Sequence, residues 1–295
     1  MRKDDTMIKN IGFVGAGVMG KSMIRNLMKN GFQVTVYSRT KEKAADIISE
    51  GAVWADNAGE CARAKDAVIT IVGYPKDVEE VYFAENGIIA SADAGTVLID
   101  MTTSSPRLAE KIYAAAKEKG MDSLDAPVSG GDTGAKAGTL SIMVGGDEDV
   151  MKKVMPVFEA MGNNIIYEGG AGCGQHTKMA NQIALSGCLA SVCEAITYAR
   201  KTGLDTQKMF DSISKGAAGS WQLSNNGLKM LKEDYAPGFY IKHYIKDMKI
   251  ADDEAGRADF SMPILDEVLK MFEELDAKGC GDLGTQALIK YYSED

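Results

Sequence analysis

The chain has 295 residues, with 33 Lys and Arg against 42 Asp and Glu, a formal net charge of −9. An acidic chain with no block of basic residues lacks the electrostatic footprint of a nucleic-acid binder. Its length suits two domains, and its five cysteines (Cys61, Cys173, Cys188, Cys193, Cys280) are odd in number without a C-x-x-C, which fits a reducing cytoplasm better than a disulfide framework.

Met1 to Thr6 is charged and lacks an apolar stretch, so no secretory signal is expected there. Ile11 to Val14 reads as a short apolar strand, and Gly15-Ala16-Gly17-Val18-Met19-Gly20 follows at once. A helical pattern then runs from Lys21 to Asn30 and stops at Gly31; Gln33 to Tyr37 is the next strand. Strand, G-x-G-x-x-G, helix and strand in this order form the context of a dinucleotide fingerprint. Its glycines permit a tight turn and close backbone approach to a pyrophosphate seated at the helix N-terminus.

The residues ending the second strand select the cofactor. A carboxylate there would bond a ribose 2′-hydroxyl. Here the run is Tyr37-Ser38-Arg39-Thr40-Lys41, with no acid. Arg39 can fork onto a 2′-phosphate, with Ser38, Thr40 and Lys41 beside it. The expected cofactor is NADP (NADPH) in preference to NAD.

Ala67 to Val72 and Val97 to Asp100 read as further strands separated by helical stretches, which predicts a parallel, doubly wound sheet. Ligands of such sheets lie beyond the carboxyl ends of the strands. Gly73 and Thr103 follow two of those ends and either line the cofactor or serve as ordinary loop residues. Leu124 to Val128 is another strand, running into Ser129-Gly130-Gly131. A serine before two glycines offers a hydroxyl and unhindered N–H groups to a carboxylate; a plain flexible glycine loop is the alternative.

Leu140 to Val144 and Ile165 to Tyr167 complete the sheet. At Gly172-Cys173-Gly174 two glycines break the chain, and a long helix is predicted from Gln175 to Thr202. Lys178 and Asn181, three apart, share a face of it; the lysine is either reactive or merely solvated. The longest apolar run, Ile183 to Cys193, is broken by Ser186 and Ser191 and is too short to span a bilayer. Only helical patterns follow. His176 and His243 are the sole histidines and have no metal-ligand spacing, so no metal site is expected.

The predicted architecture is α/β: a Rossmann-type doubly wound parallel sheet over 1–170, joined by the long helix to an all-α domain over 171–295. A helix apolar on most faces is buried or shared between subunits, so a homodimer or homotetramer in the cytoplasm is expected, without a membrane or nucleic-acid partner.

Gly12 to Gly20, Asp125-Ala126-Pro127-Val128-Ser129-Gly130-Gly131, Gly172 to Asn181 and Lys246-Asp247 together resemble the β-hydroxyacid dehydrogenases. The resemblance implies an NADP-linked oxidoreductase acting on a small carboxylate, a β-hydroxyacid or aldehyde acid of the glyoxylate, succinic semialdehyde or 3-hydroxyisobutyrate type. It assigns Gly15, Gly17, Val18, Met19 and Gly20 to the pyrophosphate, Ser38, Arg39 and Thr40 to the 2′-phosphate, and Val72, Gly73, Thr103 and Lys246 to the rest of the cofactor. Ser129, Gly130, Gly131 and Asp247 would hold substrate, Lys178 would be the general acid/base, and Asn181 would bond the substrate beside it. Two positions depart from the family pattern: Gly73, with Pro75 two further on, where many members have a proline, and Gln182 where many have a second asparagine. The second leaves open which amide, Asn181 or Gln182, meets the substrate. An imine reductase on the same architecture and an inactive NADP-binding protein are the competing readings; the first usually lacks the lysine.

Overall fold

The structure is a computed structural model that describes residues 8–293. The stretch Met1 to Thr6, expected above not to be a signal peptide, lies outside them. The chain divides into two compact units, the first ending at Lys178 and the second beginning at Met179.

The first unit is built on a nine-stranded sheet. Its strands are β1 (Asn10–Val14), β2 (Gln33–Tyr37), β3 (Val53–Trp54), β4 (Ala67–Thr70), β5 (Val97–Asp100), β6 (Asp122–Asp125), β7 (Val128–Ser129), β8 (Leu140–Gly146) and β9 (Gly162–Gly169). They lie in the order β3-β2-β1-β4-β5-β6-β8-β7, with β9 pairing β8. The first six run parallel, and β8 is antiparallel to β6 and β7. The order 3-2-1-4-5-6 is that of a Rossmann fold, and its strand order reverses between β1 and β4.

Burial explains why β4 and β5 are apolar up to their last residues, Thr70 and Asp100. In β4 and β5 every residue is buried, as a sheet covered on both faces requires. Successive side chains alternate between two cores. Ile11, Phe13, Ile69 and Ile99 pack with Met23, Ile24 and Leu27 of the helix Val18–Lys29. Val14, Val68 and Leu98 pack on the other side with Cys61, Val78, Tyr82 and Ile112. Each such aliphatic or aromatic side chain contributes roughly 1.5–3 kcal/mol on burial, so both faces hold the helices that flank them.

Three local expectations are corrected. β4 stops at Thr70, and Ile71 and Val72 leave the sheet as a loop. The strand expected over Leu124 to Val128 is two strands, β6 and β7, divided at Ala126-Pro127, where proline has no N–H for a ladder. Gly174 does not break the chain: it lies inside the helix Cys173–Lys201, and only Gly172, at φ +87°, takes a left-handed turn. A Cβ on Gly174 would lie 2.6 Å from the Asp125 carbonyl oxygen, so this glycine serves close packing.

The second unit is helical, and among its described residues the only strand-like pairing is an isolated bridge between Tyr240 and Gly284. Its principal helices are the remainder of Cys173–Lys201, then Ile241–Arg257 and Pro263–Leu275, the last opened by proline at a position that needs no N–H. Leu189, Cys193 and Ile196 of the long helix meet Phe210, Met248 and Phe272 in one core. Tyr244 sets its ring edge-on to Phe272, with centroids 5.3 Å apart. The long helix has 29 residues, about 43 Å, and by length and composition it could cross a membrane. Leu189, Cys193 and Ile196 are nevertheless fully buried in protein.

Candidate active site

After β1 the chain turns at Gly15, whose φ of +115° suits glycine, and the Gly15 N–H donates to the Tyr37 carbonyl at 2.8 Å. The helix Val18–Lys29 begins with Gly17 as N-cap, without a side-chain cap and without an acid in its first turn. Its unpaired N–H groups therefore present positive potential to an anion. A Cβ on Gly20 would strike the Gly15 carbonyl oxygen, whereas one on Gly17 would meet no protein atom within 4 Å. Neither conformation nor protein packing requires glycine at 17. The space over it fits the close approach of a pyrophosphate, with Val18 and Met19 forming the first turn beside it.

Ser38, Arg39 and Thr40 follow β2. The Arg39 side chain is 72% exposed, yet its Nη1 lies 3.1 Å from Asp77 Oδ1. Asp77 is itself buried, and its Oδ2 accepts the Tyr74 N–H at 3.0 Å. The guanidinium is thus held at the sheet's carboxyl end with most of its surface toward solvent.

The loops after β4 and β5 are tied together, because Thr70 and Asp100 are register partners. The Val72 N–H donates to Thr102 Oγ1 at 3.0 Å. Asp100 Oδ1 accepts from Thr70 Oγ1 at 2.8 Å and from the Thr102 N–H at 3.0 Å. Val72, Gly73 and Thr103 are thereby gathered on adjacent loops. Burial pushes the Asp100 carboxyl up to about 6, against the hydrogen bonds from Thr102 and Thr70 that favour its ionised form.

Lys178 is 7% exposed, and its Nζ donates to the Val128 carbonyl at 2.9 Å. The next residues are Ser129, Gly130 and Gly131, with φ of +130° and +62° at the glycines. The lysine predicted to react and the loop predicted to hold a carboxylate are therefore neighbours within the first unit. Asp125 lies beneath them, accepting the Gly172 and Gln175 N–H groups at 2.8 Å each. Gln175 accepts the Ser104 N–H at 2.9 Å and donates to the Thr102 carbonyl at 2.7 Å. The sequence reading gave Asp125 and Gln175 no role. The available signals were a strand-end aspartate and a glutamine in a glycine-flanked turn, and neither identifies a partner.

In the second unit, Asn181 Nδ2 donates to Gln182 Oε1 at 2.8 Å, and Gln182 Nε2 donates to Asp247 Oδ2 at 2.6 Å. Lys246 Nζ lies 2.8 Å from the other Asp247 oxygen, with both side chains nearly buried. Gln182 also accepts the Tyr244 hydroxyl on its carbonyl at 3.0 Å. Both ends of the Gln182 amide thus bond protein, while Asn181 is half-buried. No cluster of His, Cys, Asp and Glu suited to a metal occurs among the described residues.

Two family models cover the chain. Residues 10–169 match the NAD binding domain of 6-phosphogluconate dehydrogenase, and residues 172–292 match the NAD-binding domain of NADP-dependent 3-hydroxyisobutyrate dehydrogenase. An uncharacterized oxidoreductase of Bacillus subtilis is 52% identical over 97% of this chain and 99% of its own. The 2-hydroxy-3-oxopropionate reductase of Escherichia coli is 38% identical over 95% of this chain and 96% of its own. Among solved structures, 3-hydroxyisobutyrate dehydrogenase of Mycobacterium tuberculosis with L-serine superposes with a TM-score of 0.88 at 32% identity, covering 96% of this chain and 99% of that one.

Proposed function

The chain belongs to the β-hydroxyacid dehydrogenase family of NAD(P)-dependent oxidoreductases, and from that premise we propose that it works with NADP(H) on a small β-hydroxyacid or aldehyde acid, with Lys178 as general acid/base. The observation that carries this reading is the buried Lys178 Nζ on the Val128 carbonyl, one residue before the Ser129 loop.

Bound nicotinamide supplies hydride to the substrate carbon in reduction and accepts it in oxidation. The Ser129 hydroxyl and the N–H groups of Gly130 and Gly131 hold the substrate carboxylate, which fixes the neighbouring carbon and removes much of the entropic barrier. Lys178 gives its Nζ proton to the carbonyl oxygen as the carbon is reduced, so that C=O becomes CH–OH, and takes that proton back in oxidation. Asn181, three residues further along the same helix, orients the oxygen. Exposed Arg39 and the absence of an acid in the run from Tyr37 to Lys41 support NADP over NAD, as does the NADP-dependent enzyme whose domain model matches residues 172–292. The unpaired cysteines support a cytoplasmic setting.

The test is cofactor depletion with glyoxylate, succinic semialdehyde, tartronate semialdehyde and methylmalonate semialdehyde, run with NADPH and with NADH. At least one substrate is expected to turn over with NADPH, and Lys178→Ala is expected to lower that kcat on the order of 100- to 10,000-fold while NADPH still binds. No turnover across the panel, or a fully active Lys178→Ala, defeats the proposal. Turnover of cyclic imines alone would favour the imine reductase reading.

A further inference from the structure

We propose that Asp125 and Gln175 are positioning residues for the reaction, fixing the first turns of the helix that carries Lys178 against the loop Thr102-Thr103-Ser104. This rests on the reading of Lys178 as the proton donor.

The first N–H groups of a helix have no partner inside it. Here Asp125 takes two groups at this helix start with separate oxygens, the Gly172 and Gln175 N–H groups, each at 2.8 Å. Asp125 is 4% exposed, and bonds from N–H groups to an ionised acceptor are about twice as strong as neutral ones. Gly174 lies between the two donors, and its missing side chain lets the helix backbone seat on β6, since a Cβ would come within 2.6 Å of the Asp125 carbonyl oxygen. Such a contact leaves the helix little room to slide.

Gln175 is fully buried and faces the next loop. Its oxygen accepts the Ser104 N–H at 2.9 Å, and its nitrogen donates to the Thr102 carbonyl at 2.7 Å. These bonds hold the residues on either side of Thr103, the proposed cofactor contact. Thr102 continues the chain of bonds to Val72 and Asp100. Lys178 lies three residues after Gln175 on the same helix face. From Asp125 the chain runs through Ala126 and Pro127 to Val128, whose carbonyl receives the Lys178 ammonium at 2.9 Å. The lysine is therefore held at both ends, its helix by Asp125 and its ammonium by Val128. Gln175 sets that assembly against the cofactor loop, and every one of these groups belongs to the first unit.

Removing the Gln175 amide leaves a buried donor and a buried acceptor unpaired and frees the Thr103 loop from the lysine helix. A displacement of about 1 Å at a reacting group lowers rate on the order of 100-fold. The experiment uses Gln175→Leu, Gln175→Glu and Asp125→Asn, each alone and combined with Lys178→Ala, with kcat, KM for NADPH and Tm measured for all. In the Lys178-containing protein we expect kcat to fall by about 10- to 100-fold with a much smaller change in KM for NADPH. In the Lys178→Ala background the same substitutions should leave the residual kcat nearly unchanged, because groups acting as a unit are strongly non-additive. An equal fall in both backgrounds overturns the proposal and makes the two residues purely structural. If Lys178→Ala alone retains near-normal turnover, the proton-donor reading falls first and this inference with it. Gln175→Glu keeps the acceptor for Ser104 while setting a carboxylate against the Thr102 carbonyl, and it carries the test should Gln175→Leu fail to fold.

Discussion

Lys178 Nζ sits 2.9 Å from the carbonyl oxygen of Val128, so the side chain assigned to proton transfer is aimed by the backbone of the loop assigned to the carboxylate. That relationship separates two roles for its charge. A lysine can lose its proton, whereas arginine remains protonated in proteins. Lys178→Arg keeps a cation at the position and is expected to lose on the order of 100- to 10,000-fold in kcat, the usual contribution of general acid–base catalysis. Initial rates in both reaction directions check this. Near-normal oxidation by the arginine variant would show that Lys178 acts only through its charge.

The fingerprint glycines yield a paired prediction. Gly17 has φ −77°, and a Cβ there meets no protein atom within 4 Å, so Gly17→Ala should leave Tm unchanged or slightly raised. It should nonetheless weaken NADPH binding, because the methyl group occupies the approach to the helix N-terminus. Gly20→Ala drives a methyl into the Gly15 carbonyl oxygen and should lower Tm instead. Thermal melts with and without NADPH distinguish the two; an unaltered NADPH affinity in Gly17→Ala would place the pyrophosphate elsewhere.

Arg39 and Asp77 govern cofactor choice if the NADP reading holds. A hydrogen bond to a charged group contributes about 1.5–3 kcal/mol, so Arg39→Ala should lower kcat/KM for NADPH by roughly 10- to 100-fold while changing that for NADH little. Asp77 holds the guanidinium at 3.1 Å and caps the Tyr74 N–H. Asp77→Asn should retain the cap geometry and reduce the NADPH preference by less than Arg39→Ala does. Wild-type protein that uses NADH and NADPH equally well would refute both statements.

Asp100 predicts a pH dependence. Burial raises its pKa to about 6 from the ordinary carboxylate value of 3.8. A raised folded-state pKa means its stabilising contribution is present in full below about pH 4 and is lost as pH rises through about 6. Asp100→Asn retains the shape without the titration. From about pH 4.5 to about pH 7 the stability difference should move in favour of the variant, on the order of 2 kcal/mol. Denaturant titrations at several pH values measure it, and a constant difference would show that Asp100 does not titrate in that window.

The glycine fingerprint, the run after β2 and the lysine–asparagine spacing were all readable in the sequence, because each depends on residues close along the chain. Glycine conformation, helix periodicity and the chemistry of one exposed arginine need no distant partner to be recognised. Short apolar runs also exposed the buried strands, since a sheet covered on both faces leaves mainly apolar side chains at its centre. β3, with two residues, is too short to show a period. The division of β6 from β7 depended on how Pro127 meets the β8 ladder. Gly174 looked like a break, and only its contact with Asp125 showed it to be a packing glycine. The bonds that hold the site join Arg39 to Asp77, Asp125 to Gly172, and Gln175 to Thr102, positions 38, 47 and 73 residues apart. Such a bond exists only once the strands set those backbones side by side. The sequence by itself therefore determined which groups could carry the chemistry, and the tertiary structure decided which buried polar groups hold them in place.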